Sequence, residues 1–64
     1  MGIVVEIDER KTNITKATNW AKKHCPHYIT NDGRLVDHEE SIYVMYRFYF
    51  GDEKEAMLFR LKWA

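Results

Sequence analysis

The stretch from Ile42 to Trp63 constrains the fold more than any other part of the chain. Ile-Tyr-Val-Met-Tyr-Arg-Phe-Tyr-Phe runs into Gly-Asp-Glu-Lys-Glu-Ala-Met-Leu-Phe-Arg-Leu-Lys-Trp. The first half holds five of the nine aromatic residues, the chemistry of a stiff pleated strand. The second half opens with the acids Asp52, Glu53 and Glu55, which suit the positive end of a helix dipole. Ala56, Phe59 and Trp63 then recur at helical spacing, and Met57, Leu58 and Leu61 widen the apolar surface until most of the helix is expected to be buried. Gly51 or Asp52 is the expected helix start.

The rest of the chain supplies the partners. Ile3, Val5 and Ile7 alternate with Val4 and Glu6, which predicts a strand over residues 2–7. Thr12 or Asn13 can cap a helix on which Ile14, Ala17, Trp20 (or Ala21) and His24 recur at helical spacing. Lys22, Lys23 and His24 fall in its last turn, and Pro26 disfavours helical geometry at Cys25. Tyr28–Thr30 and Leu35–Asp37 are extended pieces around Asn31-Asp32-Gly33, a turn signal. They are either two arms of an extra hairpin at residues 28–37 or one bulged strand. His38–Ser41 reads as a polar loop. The order β-α-β-β-α predicts a single α+β domain over residues 1–64, with two helices on one face of a small antiparallel-rich sheet.

Sixty-four residues bury only about 60% of their unfolded surface, so a core of this size is marginal and burial against a partner would help it. Ten basic residues balance ten acidic ones. A chain living on a phosphate backbone carries a basic excess, so any basic patch here is local. Near-neutrality favours self-association. One cysteine cannot form an internal disulfide, and neither a bilayer-spanning run nor a signal peptide is visible. The expectation is a cytoplasmic protein without membrane contact.

Phe50, the acids Asp52, Glu53 and Glu55, and Ala56 resemble the third strand and second helix of an RNA-recognition motif, over about 20 residues. The rest agrees with that ferredoxin-like family in topology alone and lacks its last strand, the sequence ending at Ala64. The resemblance implies that Phe50 points inward. Alternation then turns Phe48, Tyr46 and Val44 inward and leaves Tyr43, Met45, Arg47 and Tyr49 on the outer face. That family stacks bases on exposed aromatics of the outer face. Here Met45 and Arg47 stand at the stacking positions, and the first strand offers only Val4 and Glu6. A second similarity, from Asp52 to Trp63, is to short tailed-bacteriophage proteins that end in an Asp-x-x-x-Ala-Met-x-Phe-x-Leu-x-Trp helix after an aromatic strand. It implies a protein that binds and redirects a host protein.

No catalytic motif stands in the sequence, and no cofactor is expected. His24, Cys25 and His27 with His38 are the only residues near metal-ligand spacing. They read more simply as a helix C-terminus with dipole-complementing histidines and a partly buried thiol. Histidines adjacent to Cys25 point elsewhere on a helix, so nucleophilic catalysis is not supported. Glu39–Glu40 and Glu53–Glu55 read as solvated charges. The expected function is non-catalytic binding of a protein partner through Tyr43, Met45, Arg47 and Tyr49, with Trp20 or Trp63 contributing if exposed. Tyr and Arg are enriched at interface hot spots, and Met adapts to irregular partners. Sheet edges offer a homodimer as a related option. The alternative is a single-stranded nucleic-acid module using the same face with Lys22, Lys23, Arg34 and Arg47.

Overall fold

The computed structural model describes residues 2–64 as β1 (Ile3–Asp8), α1 (Ile14–His24), β2 (Tyr28–His38), β3 (Ser41–Phe50) and α2 (Glu53–Trp63). The three strands form one sheet in the order β1-β3-β2, and both pairings are antiparallel. The aromatic strand is therefore the central one, with a neighbour on each side. β1 and β2 run parallel to each other with β3 between them, so α1 crosses the sheet to join them.

Both helices cover the same face. Val5, Ile7, Phe48 and Phe50 from the strands form one buried cluster with Ala17 and Ala21 of α1, Cys25, and Ala56 and Phe59 of α2. The small side chains Ala17, Ala21 and Ala56 let the helices approach closely, and the phenylalanines fill the space between. Phe59 stacks on Phe48 and Phe50 at centroid separations of 4.7 and 5.1 Å. Trp20 and Trp63 close the helix side, the two rings meeting edge-on at 6.4 Å. Aromatic pairs in these ranges contribute about 0.5–1.5 kcal/mol beyond simple burial.

The helix ends follow local chemistry. Asn13 is the N-cap of α1, its side chain accepting from the Lys16 amide at 3.0 Å. Thr12 is free of that task and donates instead to the Trp63 carbonyl at 2.8 Å, tying the start of α1 to the end of α2. Asp52 caps α2 by accepting from the Glu55 amide at 3.1 Å.

Two sequence expectations need correction. Of the two readings of residues 28–37, the single bulged strand holds and the extra hairpin does not: Asn31-Asp32-Gly33 is not a turn, and β2 is one continuous strand. Its irregularity falls between Tyr28 and Thr30, displacing Ile29. The chain reverses later, at Glu39-Glu40, between the paired residues His38 and Ser41. Gly33 serves a different purpose. A Cβ there would lie 2.9 Å from Val44 Cγ1 and 3.0 Å from Tyr46 Cε2, so the absent side chain is what admits the Tyr46 ring. The second correction concerns α2. Only its Ala56–Phe59–Trp63 side packs inward, and Met57, Leu58 and Leu61 are exposed.

Candidate functional site

The sheet has one uncovered face. Phe48 and Phe50 lie fully buried beneath the helices, so alternation turns Tyr43, Met45, Arg47 and Tyr49 to the opposite side. All four are half-buried by their strand neighbours, and neither helix lies over them. Antiparallel register sets the residues beside each one. Tyr49 stands between Val4 of β1 and Thr30 of β2, Arg47 between Glu6 and Asp32, and Met45 between Asp8 and Arg34, while Tyr43 pairs with Val36. Directly opposed side chains of this kind interact across an antiparallel ladder.

Arg47 thus occupies the centre of the face with a carboxylate on each side. This row is Glu6–Arg47–Asp32, a balanced charge arrangement rather than a positive field. Tyr49 reaches across the same row, its hydroxyl 3.5 Å from an Asp32 carboxylate oxygen. At the far end the Arg10 guanidinium lies 3.8 Å from the Tyr43 ring centroid, a cation–π geometry. Arg10 is itself held by Asp8, through Nη2–Oδ2 at 2.7 Å and Nε at 3.1 Å. These hydrogen bonds from Arg10 hold the Asp8 carboxyl below its ordinary range, and the same contact raises the Arg10 guanidinium. The face is therefore aromatic at its two ends and ionic at its middle.

The other sequence candidates scatter. Trp20 is on the helix side, half-buried against His24, Phe59 and Trp63, and cannot join the β3 row in one contact. Lys22 and Lys23 are exposed on α1, in the layer opposite Arg34 and Arg47. The four basic residues of the nucleic-acid alternative do not share a surface.

The residues at metal-ligand spacing are also apart. His24 stacks on Trp20 at 5.1 Å, Cys25 is in the core, and His38 sits at the hairpin end of β2. His27 precedes the other end of β2, roughly 35 Å from His38 at strand rise. Among the described residues no three metal-ligating side chains converge. His27 is engaged by Glu55: its backbone amide donates to Oε1 at 2.9 Å, and its Nδ1 lies 2.5 Å from Oε2. The hydrogen bond to this carboxylate, then its charge, raises the His27 imidazole above its ordinary value. Burial raises the Cys25 thiol, with a smaller contribution from Glu55. A thiol held protonated in an apolar core is a poor nucleophile.

Alternation in the sequence places Val4 and Glu6 on this face, but not Thr30, Asp32 and Val36. With residues 28–37 open between an extra hairpin and one bulged strand, no register against β3 follows from the sequence. Arg10 escaped notice because its contact with Tyr43 depends on how the loop after β1 folds back. Compared with family models, curated proteins and solved structures, the chain matches none.

Proposed function

We propose that the domain is a non-catalytic binding module that takes a protein partner on the uncovered face of its sheet. The observation that carries this reading is the separation of the two faces. Both helices pack on one side, and the other presents Tyr43, Met45, Arg47 and Tyr49 together with Val4 and Val36. A face with Tyr and Arg anchors between apolar neighbours has the composition of interface hot spots. Its carboxylates match the sign pattern expected for recognising a protein rather than a phosphate backbone, which Glu6 and Asp32 would repel. The similarity of the Asp52–Trp63 helix to phage proteins makes a host protein the partner of choice.

The nucleic-acid reading is separated by salt. Binding to single-stranded RNA and DNA is titrated at low ionic strength and again at physiological salt. Absence of binding at low salt accords with a protein partner. A steep fall in affinity with salt, weakened by Arg47→Glu, would instead assign the same face to nucleic acid.

A further inference from the structure

We infer that two copies of this chain join through the outer edge of β1, in one register centred on Val5, to give a continuous sheet of three strands from each copy. Among the described residues, no strand pairs with that edge. The phase of its free hydrogen-bonding groups follows from one bond. The Glu9 amide donates to the Val44 carbonyl at 3.2 Å, continuing the β1–β3 register. Since hydrogen-bonded pairs alternate with non-hydrogen-bonded ones, Ile3, Val5 and Ile7 spend their backbone groups on β3. Val4, Glu6 and Asp8 direct theirs outward.

Antiparallel pairing of β1 with itself must keep inner faces on the same side, which allows only registers centred on a residue. Centring on Glu6 sets the Glu6 side chains of the two copies against each other, and centring on Ile7 sets Glu6 against Asp8. Centring on Val4 shortens the overlap. Centring on Val5 sets Val5 against Val5 and Ile3 against Ile7 on the helix side, and Val4 against Glu6 on the uncovered side. The pairs of Val4 with Glu6 then make four backbone hydrogen bonds, two on each side of the axis. No like charges meet, and β-branched side chains oppose each other throughout the inner row.

Met57 of α2 lies along the same edge. Met57 lines a cleft with Ile3, Glu53, Ala56 and Arg60, and Leu61 follows Met57 by one helical turn. Met57, Leu58 and Leu61 are 58%, 59% and 77% exposed, on a helix whose opposite side is already buried. The two-fold axis through Val5 brings the α2 helices of both copies side by side and antiparallel. Glu53 of each helix, which lines the Ile3 cleft, then comes near Arg60 of the other, an acid of the first turn against a base of the last. One association therefore covers the open strand edge and the Met57 side of α2 together. The joined sheet would also present two copies of the uncovered face side by side.

Sedimentation equilibrium and paired cysteine variants test this. The expected result is a species of twice the 7.7 kDa chain mass at micromolar concentration. Val4→Glu places a carboxylate against Glu6 of the other copy and should weaken the dimer tenfold or more. Val4→Lys puts an equally polar side chain at the same site and should leave it intact or tighten it, which controls for folding. In a Cys25→Ala background, Val5→Cys should form an intermolecular disulfide, since its two Cα atoms would lie about 4.5 Å apart. Glu6→Cys should not. A monomer at all concentrations, a dimer indifferent to Val4→Glu, or crosslinking by Glu6→Cys in place of Val5→Cys would each overturn the inference.

Discussion

Phe48 of β3 and Phe59 of α2 stack with ring centroids 4.7 Å apart, and both are completely buried. This contact fixes the phase of the central strand: with Phe48 beneath α2, Arg47 and Tyr49 must face the other way. Removing the Phe59 ring should cost about 3–5 kcal/mol, lost transfer energy plus an unfilled cavity. Since domains of this size hold little stability in reserve, Phe59→Ala should be largely unfolded at room temperature by circular dichroism. Phe59→Leu should fold with a lowered midpoint. An Ala variant that melts like the parent would show that the helix does not hold the strand.

Gly33 is tied to Tyr46 in a comparable way. The aromatic ring occupies the space of the missing side chain, and Val44 Cγ1 closes the other side at 2.9 Å from an added Cβ. Gly33→Ala should therefore destabilise by about 1–3 kcal/mol, the range for overpacking, although alanine is no worse a strand residue than glycine. Urea unfolding checks it. An unchanged midpoint would mean that Tyr46 moves aside without cost.

The pairing of His27 with Glu55 makes stability depend on pH in a defined direction. The imidazole is raised by the carboxylate in the folded state, so the folded protein holds its proton more tightly than the unfolded chain does. The resulting stabilisation is complete below about pH 6.5, the ordinary histidine value, and fades as pH rises through the raised folded value. Thermal melts from pH 5.5 to 8.5 should show this loss, and His27→Ala or Glu55→Gln should flatten that part of the profile. A profile unchanged by either substitution would mean the pair contributes nothing.

Cys25 is 3% exposed, and burial raises its thiol. Disulfide-exchange reagents should label it slowly in the folded protein and promptly in denaturant. Fast labelling under native conditions would show that the end of α1 opens readily.

Much of this architecture was legible in the sequence because each element carries its own periodicity. Phe50-Gly51-Asp52 marks a strand passing into a capped helix, Asn13 a helix start, and Pro26 a helix end, all by local rules. The misreadings came where local chemistry and tertiary context disagree. Asn-Asp-Gly favours a turn in isolation, but Gly33 is needed under Tyr46, and pairing along β3 extends β2 through it. The apolar residues of α2 indicate a helix buried on most sides, while a domain with two helices over three strands has nothing to cover Met57, Leu58 and Leu61. Tyr43, Met45, Arg47 and Tyr49 were legible as a row, since alternation alone groups them. Their neighbours Asp32 and Arg10 were not, because cross-strand register and loop return are long-range facts.

The uncovered face of β3 is the surface proposed to take a partner. Its most direct test is capture from cell lysate by immobilised protein, comparing the parent with Arg47→Glu/Tyr49→Ala on the sheet face and Lys22→Glu/Lys23→Glu on the helix side, each confirmed folded. The sheet-face variant should lose the captured partner and the helix-side variant should retain it. Capture that survives Arg47→Glu/Tyr49→Ala but disappears with Lys22→Glu/Lys23→Glu would contradict the account.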